Sequence, residues 1–171
     1  MNRRIQAPSL KRWLSGIQNL LWWGLYFVAG VWVQQRFPGI DALLPGFLIA
    51  LQEKRWQQRV WVGLFCVLIQ EGTGSLAFGA AVLWYGGLFL LFLGGRWFFV
   101  TDSLFFVVLL SGAMGVYNVL VTLSLTSLQK LSFPLERLLE QSIAQALIIP
   151  PLWGIAMLTR KKGARHAESG V

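Results

Sequence analysis

The sequence is poor in charged residues, which make up 13% of its 171 residues. Soluble domains carry about 25%. Hydrophobic residues account for 56% of the chain, so a soluble fold would have too few polar side chains to cover its surface. This imbalance argues against an ordinary soluble domain and predicts an integral membrane protein.

Cysteine and histidine are nearly absent, with one residue of each, Cys66 and His166. A single cysteine cannot form an internal disulfide. Cys66 lies in an apolar run and His166 in the polar tail, which argues against a metal site and a Cys–His nucleophile. The sequence also offers no pair of acidic residues arranged for acid–base catalysis. We therefore expect a protein that is not an enzyme and that has no catalytic residue, no cofactor and no metal.

The formal net charge is +8, a value that would suit a nucleic-acid-binding protein. The basic residues, however, stand at the ends of apolar segments, where lipid head groups and the insertion machinery act on them. The pattern therefore favours contact with membrane lipid and predicts no binding of nucleic acid.

Five apolar segments are candidates for membrane helices, because a helix needs about 20 residues to cross the hydrocarbon core. A sixth segment, 38–51, is shorter and contains Asp41, Pro45 and Gly46. It is either a tilted or kinked span or a re-entrant piece. The five clear segments are 17–33, 60–70, 75–93, 104–125 and 143–158.

The distribution of charge favours counting the sixth segment as a span. Both ends of the chain are basic, and Lys and Arg residues stay on the cytoplasmic side. Two cytoplasmic termini require an even number of crossings, which places twelve of the 15 Lys and Arg residues inside. The predicted fold class is therefore all-α and polytopic. One membrane domain of six transmembrane helices over 17–158 lies between cytoplasmic basic segments 1–16 and 159–171.

Polar residues near the ends of the spans have structural interpretations. Asp41, close to Arg36, is expected among the lipid head groups. Asp102 is expected to cap the fifth helix. Glu71 is expected to be a solvated residue at the outer end of the third span. The polar side chains of the fifth segment are expected to form helix–helix hydrogen bonds; they are Asn118, Thr122 and Ser124.

Small residues recur at spacings that allow helices to approach closely. The clearest pairs are Gly46 with Ala50 and Ser111 with Gly115. A second group surrounds the predicted turn between spans three and four, where a neighbouring helix or partner could pack tightly. This group consists of Gly72, Gly74, Ala77, Gly79, Ala80 and Ala81.

The last span has two further features. Pro150 and Pro151 are expected to break its helix, because proline cannot donate the helical hydrogen bond. The residues before it, 132–143, carry leucines at three- and four-residue spacing and predict a short interfacial helix. That helix either contacts lipid alone or docks a partner.

Two stretches carry a resemblance to a known family: VGLFCVLIQEGTGSLAFGAAVLWYGGLFLLFL and EQSIAQALIIPPLWGIAMLTRKK. With the order of the spans, they resemble MreD, the small membrane subunit of the rod-shape complex, or elongasome. In that family an aspartate ends the third span and a Gly-Ser turn follows. Glu71 stands in the acidic place here, followed by Gly74, Ser75 and Gly79, with the spacing shifted by about one residue.

The resemblance implies a non-enzymatic role in the bacterial inner membrane, in support of lateral peptidoglycan synthesis and cell shape. It implies an MreC-like partner, in a complex that also involves the RodA–PBP2 peptidoglycan synthase and MreB filaments. The residues expected to serve packing or partner contact are Glu71, Gly74, Ser75, Gly79, Ser111, Gly115, Pro150 and Pro151.

Two other functions stay open. The six-helix fold of MreD is similar to that of the substrate-binding subunits of ECF vitamin transporters, which makes a transporter subunit the main alternative. Such a subunit needs a polar pocket open to the outside, and the outer polar residues of this chain are few. The second alternative is a membrane chaperone or assembly factor.

Overall fold

The computed structural model describes residues 10–53, 55–73, 79–129 and 134–169, with side chains described within 16–53, 55–73, 79–127 and 134–160. Over these residues all regular secondary structure is helical, which confirms the predicted all-α class. The helices are α1 (Leu10–Arg36), α2 (Leu44–Gln52), α3 (Trp56–Thr73), α4 (Ala80–Gly95), α5 (Leu104–Gln129) and α6 (Leu135–Ser169).

Two of these helices are long and apolar enough to cross a membrane. They correspond to Leu104–Ser127 in α5 and Leu135–Arg160 in α6, while Ala80–Gly95 is apolar but shorter. Each predicted segment coincides with one helix of the structure. The helical content is thus shown, and the crossing of a bilayer by all six helices stays a prediction.

The short helix α2 differs most from a conventional span. Its 9 residues correspond to a length of about 14 Å, less than half of the hydrocarbon thickness. All residues from Leu44 to Leu51 are buried inside the protein. Pro45 lies in the first helical turn, where its missing N–H group costs no hydrogen bond. The helix therefore lies within the protein interior and faces its neighbours on all sides.

Polar contacts define two opposite ends of the bundle. At the first, here called the Asp41 end, Gln34 near the end of α1 donates to Asp41 and to Gln70 near the end of α3. At the second, the Arg160 end, Arg160 of α6 contacts Asn19 of α1 and Glu53, which follows α2. The first three helices therefore run in alternating directions between these ends, and α6 reaches the Arg160 end.

The core is rich in aromatic side chains. Trp23 is fully buried and meets Trp61 of α3 edge to face, with ring centroids 5.6 Å apart. Phe27 stacks on Phe65 at 5.7 Å, and Phe47 of α2 meets the ring of Tyr85 at 5.6 Å. These large rings join the first four helices around α2.

The last helix is longer and more regular than the sequence predicts. The interfacial segment and the last span form one helix, which continues through Pro150 and Pro151 where a break is expected. The helix is held by packing on both sides of the two prolines, since Ile149 and Trp153 are buried. The Trp153 indole also donates to Gln52 Oε1 at 3.0 Å. The fixed φ of proline is itself compatible with a helix, so packing on either side maintains the helical course.

Candidate functional site

The most connected polar group in the described structure is the carboxylate of Asp41, which is only 6% exposed. Its Oδ2 accepts the indole N–H of Trp84 at 2.8 Å and the hydroxyl of Tyr85 at 2.9 Å. Its Oδ1 accepts the side chain of Gln34 at 2.9 Å and the backbone N–H groups of Leu43 and Leu44 at 3.0 and 3.2 Å.

This arrangement corrects the expectation that Asp41 lies among lipid head groups. The segment after α1 folds inward, so that the carboxylate satisfies the first N–H groups of α2 and binds side chains of α1 and α4. A buried carboxylate is costly unless it is fully hydrogen-bonded. Asp41 therefore connects three helices, and its position in the sequence beside Arg36 gave no sign of this.

Tyr26 forms a second buried connection next to Asp41. Its hydroxyl donates to the carbonyl of Ala42 at 2.8 Å and accepts the backbone N–H of Gly46 at 2.7 Å. A Cβ at Gly46 would lie 2.2 Å from the Tyr26 ring, so only glycine leaves room there. The close packing predicted at Gly46 is thus a contact with the Tyr26 ring of α1.

Glu71 acts as a helix cap in place of the predicted solvated turn residue. Its Oε1 accepts the backbone N–H groups of Gly79 at 3.0 Å and Ala81 at 3.1 Å. These groups belong to the start of α4, where a negative charge is favourable. The acidic residue at the end of α3 therefore ties α3 to α4. The predicted site residues Gly74 and Ser75 lie outside the described residues.

Gly79 is required for its backbone conformation. Its φ of 91° lies in the left-handed region, which glycine adopts without steric cost. A Cβ placed on Gly79 or on Gly72 would meet no atom within 4 Å. The expected tight packing of a neighbouring helix is therefore absent at these two glycines within the described chain, and Gly79 serves the turn into α4.

Of the two predicted packing residues of α5, Gly115 lies against α6. A Cβ on Gly115 would approach the carbonyl oxygen of Ser142 to 3.2 Å and the Cβ of Ala146 to 3.4 Å. Asn118, one turn further on, donates to Ser142 Oγ at 2.9 Å, which confirms the predicted hydrogen bond between helices. Ser111 is buried and donates to Val108 O within α5.

Other polar residues of α5 differ from their predicted roles. Ser124 donates to Leu120 O of its own helix, because a serine hydroxyl reaches the carbonyl one turn back. The helix cap also shifts by one residue: the N–H of Phe106 donates to Ser103 Oγ at 3.1 Å. Asp102 is exposed, and Ser103, which precedes the first helical residue, occupies the capping position.

The Arg160 end contains an ion pair between Arg160 and Glu53. The guanidinium of Arg160 also lies 5.2 Å from the ring centroids of Trp22 and Trp23, a distance suited to a cation–π contact. Burial raises the pKa of Glu53, and the positive charge of Arg160 opposes that shift. The pair therefore holds two partly desolvated charges beside α1.

Two surface grooves lie at opposite ends of the bundle. The groove at the Asp41 end has a volume of about 310 Å³ and lies between residues 36–40 and the first turns of α6. The groove at the Arg160 end has a volume of about 200 Å³ and lies between α2, α3 and α4. Gly39, with φ 94°, lines the larger groove and faces Gln141. Both grooves are open to the surface.

The described residues contain no group of three or more His, Cys, Asp or Glu side chains placed to hold a metal ion. Asp41 and Glu71 use their carboxylate oxygens to accept hydrogen bonds within the protein. The arrangement of these polar groups can fix the relative positions of helices. The local sequence does not mark Glu71 as a cap, because Glu71 lies within α3, eight residues before Gly79, whose N–H group it accepts.

Comparison with known proteins provides no relative. The sequence matches no family model and no curated protein, and its structure matches no solved structure.

Proposed function

We propose that the chain is a non-enzymatic subunit of the bacterial inner membrane that supports cell shape and lateral peptidoglycan synthesis together with an MreC-like protein. In this proposal all six helices belong to one membrane domain with both termini in the cytoplasm. The subunit works as a rigid adaptor beside RodA, PBP2 and MreB-like components. We infer these partners from the resemblance of the segments around Glu71 and Pro150 to MreD proteins.

The observation that carries the proposal is the use of buried and half-buried polar groups as connections between helices. Asp41 joins α1, α2 and α4, Glu71 joins α3 to α4, and Asn118 joins α5 to α6. Such bonds hold helices in fixed positions where the surrounding lipid offers no hydrogen-bond partners. A rigid bundle of this kind suits a subunit whose task is to position other membrane proteins.

The outer surface of α1 supports a membrane location and leaves room for a partner. Leu21, Leu25, Val28 and Trp32 follow each other at three- and four-residue spacing and are between 66% and 72% exposed. A continuous apolar stripe of this kind indicates contact with lipid or with another protein. A partner helix could pack on it without displacing any buried residue.

A pull-down of the tagged full-length chain from native membranes, solubilised in mild detergent, tests the proposal. We expect recovery of an MreC-like protein, with RodA and PBP2 as weaker companions. An unrelated tagged membrane protein at equal expression is the control. Recovery of a pair of ATPases together with a bound vitamin would contradict the proposal and identify a transporter.

One observation favours the second candidate, the substrate-binding subunit of a vitamin transporter. The Asp41 end combines a carboxylate with Trp84, Tyr85 and Tyr26, the kinds of residue that orient a small polar ligand. In the described structure these groups bond to one another. A transporter subunit would have to exchange these bonds for bonds to its substrate.

Thermal unfolding in the presence of individual water-soluble vitamins separates the two candidates. A shape-complex subunit is expected to show an unchanged unfolding temperature with every vitamin, since no ligand stabilises its folded state. A substrate-binding subunit is expected to be stabilised in proportion to the logarithm of ligand concentration. Stabilisation that disappears in Asp41→Asn would place the ligand at the Asp41 end.

A further inference from the structure

Three arginines surround a single carboxylate at the Arg160 end. The Glu53 carboxylate pairs with Arg160, and the positive charges of Arg55 and Arg59 also act on it. The Arg59 guanidinium donates through Nε and Nη2 to the Glu53 backbone carbonyl. One acidic side chain among three cations leaves this cluster with an excess of positive charge.

An apolar groove begins beside this cluster. Arg59 is the one charged residue that lines it, and its other walls include Phe47 of α2, Val60 and Leu64 of α3 and Phe89 of α4. Val60 and Leu64 are 49% and 55% exposed, so the groove is open on the side of the bundle that faces outward. Its volume of about 200 Å³ is below the range of about 300–1,000 Å³ for small-molecule pockets.

We propose that this groove and the three arginines form a binding site for one anionic phospholipid. Part of an acyl chain lies against Phe47, Val60 and Leu64, and the phosphate lies beside Arg55 and Arg59. A ligand of this site must be apolar along its length and negative at one end, which describes an anionic phospholipid. Arginine suits the role because it presents several N–H donors to phosphate oxygens.

The site differs from a general attraction of basic residues to the membrane. Arg96 lies near the same end of the bundle, after α4, and its side chain is exposed. Unlike Arg55, which directly precedes the groove residue Trp56 and whose charge acts on Glu53, Arg96 neither adjoins a groove residue nor belongs to the arginine cluster. The loss of lipid affinity in a variant without the Arg96 charge therefore measures the general attraction between the protein and anionic lipid. The loss in a variant without the Arg55 charge measures this attraction together with the contribution of the site. Arg55 is exposed as well, so neither change disturbs the core.

The test counts lipids that remain bound to the purified full-length chain. The protein is exchanged into micelles containing equal amounts of phosphatidylglycerol and phosphatidylcholine, and bound lipids are counted by native mass spectrometry. We expect preferential retention of one phosphatidylglycerol. Arg55→Gln should weaken its affinity about tenfold, since a hydrogen bond to a charged group such as the phosphate contributes about 1.5 kcal/mol. Arg96→Gln should leave it nearly unchanged.

A second variant tests the acyl-chain part of the site. Val60→Trp places a large ring at the mouth of the groove and should lower retention of phosphatidylglycerol while the fold is kept, because Val60 is half-exposed. Three results would overturn the proposal: equal retention of the two lipids, an equal loss in Arg55→Gln and Arg96→Gln, or displacement of the lipid by inorganic phosphate.

The inference rests on the membrane location within the proposed function and is independent of the cell-shape partners. Fractionation of the tagged chain with the membranes establishes the location before lipids are counted. A pull-down without an MreC-like protein would contradict the shape-complex function and leave the lipid result standing. Absence of retained phosphatidylglycerol from a membrane-inserted chain would overturn the lipid site alone.

Discussion

At the scale of single residues, Asp41 shows how burial changes the role of a charged group. Its carboxylate receives hydrogen bonds from the side chains of Gln34, Trp84 and Tyr85 and from two backbone N–H groups. An aspartate near a span boundary reads from sequence as a solvated residue. Its partners are up to 44 positions away, and hydrogen bonds over such separations leave no local pattern. The structure thus assigns a central structural role to a residue that appeared peripheral.

We predict that Asp41→Ala destabilises the protein by about 3 kcal/mol, because it leaves several buried donors without an acceptor. Asp41→Asn should cost less, since one side-chain oxygen still accepts. The matched control is Asp102→Ala, the same change at an exposed position, which should alter stability by less than about 0.5 kcal/mol. Unfolding in mixed micelles, followed by circular dichroism, measures both. Equal effects of the two alanine variants would contradict the connecting role of Asp41.

At the scale of secondary-structure elements, the sequence predicts the helices well and their lengths less well. Apolar runs locate all six helices, because hydrophobicity is a local property of the chain. The same runs leave open whether 38–51 is a span or a re-entrant piece. The structure gives a buried helix of 9 residues there, stabilised by Asp41 at its start. The continuity of α6 through Pro150 also depends on packing by distant residues and could not be predicted locally.

The contact between α5 and α6 offers a test of close helix packing. Gly115→Leu should destabilise the protein by about 1–3 kcal/mol, because its side chain would collide with the backbone at Ser142 and with Ala146. Gly112→Leu is the matched control on the same helix, since a Cβ at Gly112 meets no atom within 4 Å. We expect it to be neutral or slightly stabilising, because leucine favours helices more than glycine does. Equal losses of thermal stability in detergent would show that the contact is unimportant.

At the scale of the whole molecule, the sequence could predict contacts that depend on neighbouring positions. It could not predict the polar groups that the assembled helices bring together at the two ends of the bundle. Ser111 and Gly115 follow a short-range packing pattern, and Gly115 does lie against α6. The sequence marks Glu71 only as an acidic residue near a turn, because its function as a cap depends on where α4 begins. The charged cluster at the Arg160 end has no signature in the sequence, because Arg160 lies 107 positions after Glu53 and reaches it only through the packing of α6. Charges in sequence-distant segments become a site only when the helices are assembled.

These two ends also make the membrane topology testable. Gln57 at the start of α3 and Glu140 near the start of α6 are both exposed and lie toward opposite ends of the bundle. In a Cys66→Ser background, which removes the buried native thiol, Glu140→Cys should react with an impermeant maleimide on intact cells. Gln57→Cys and Arg165→Cys should react only after the membrane is opened, because basic flanks stay cytoplasmic.

Labelling of Gln57→Cys and Glu140→Cys from the same side would contradict the alternating order of the helices. With a cytoplasmic N-terminus, labelling of both Gln57→Cys and Arg165→Cys from outside would mean an odd number of crossings, and α2 would then be a buried element that does not cross the bilayer.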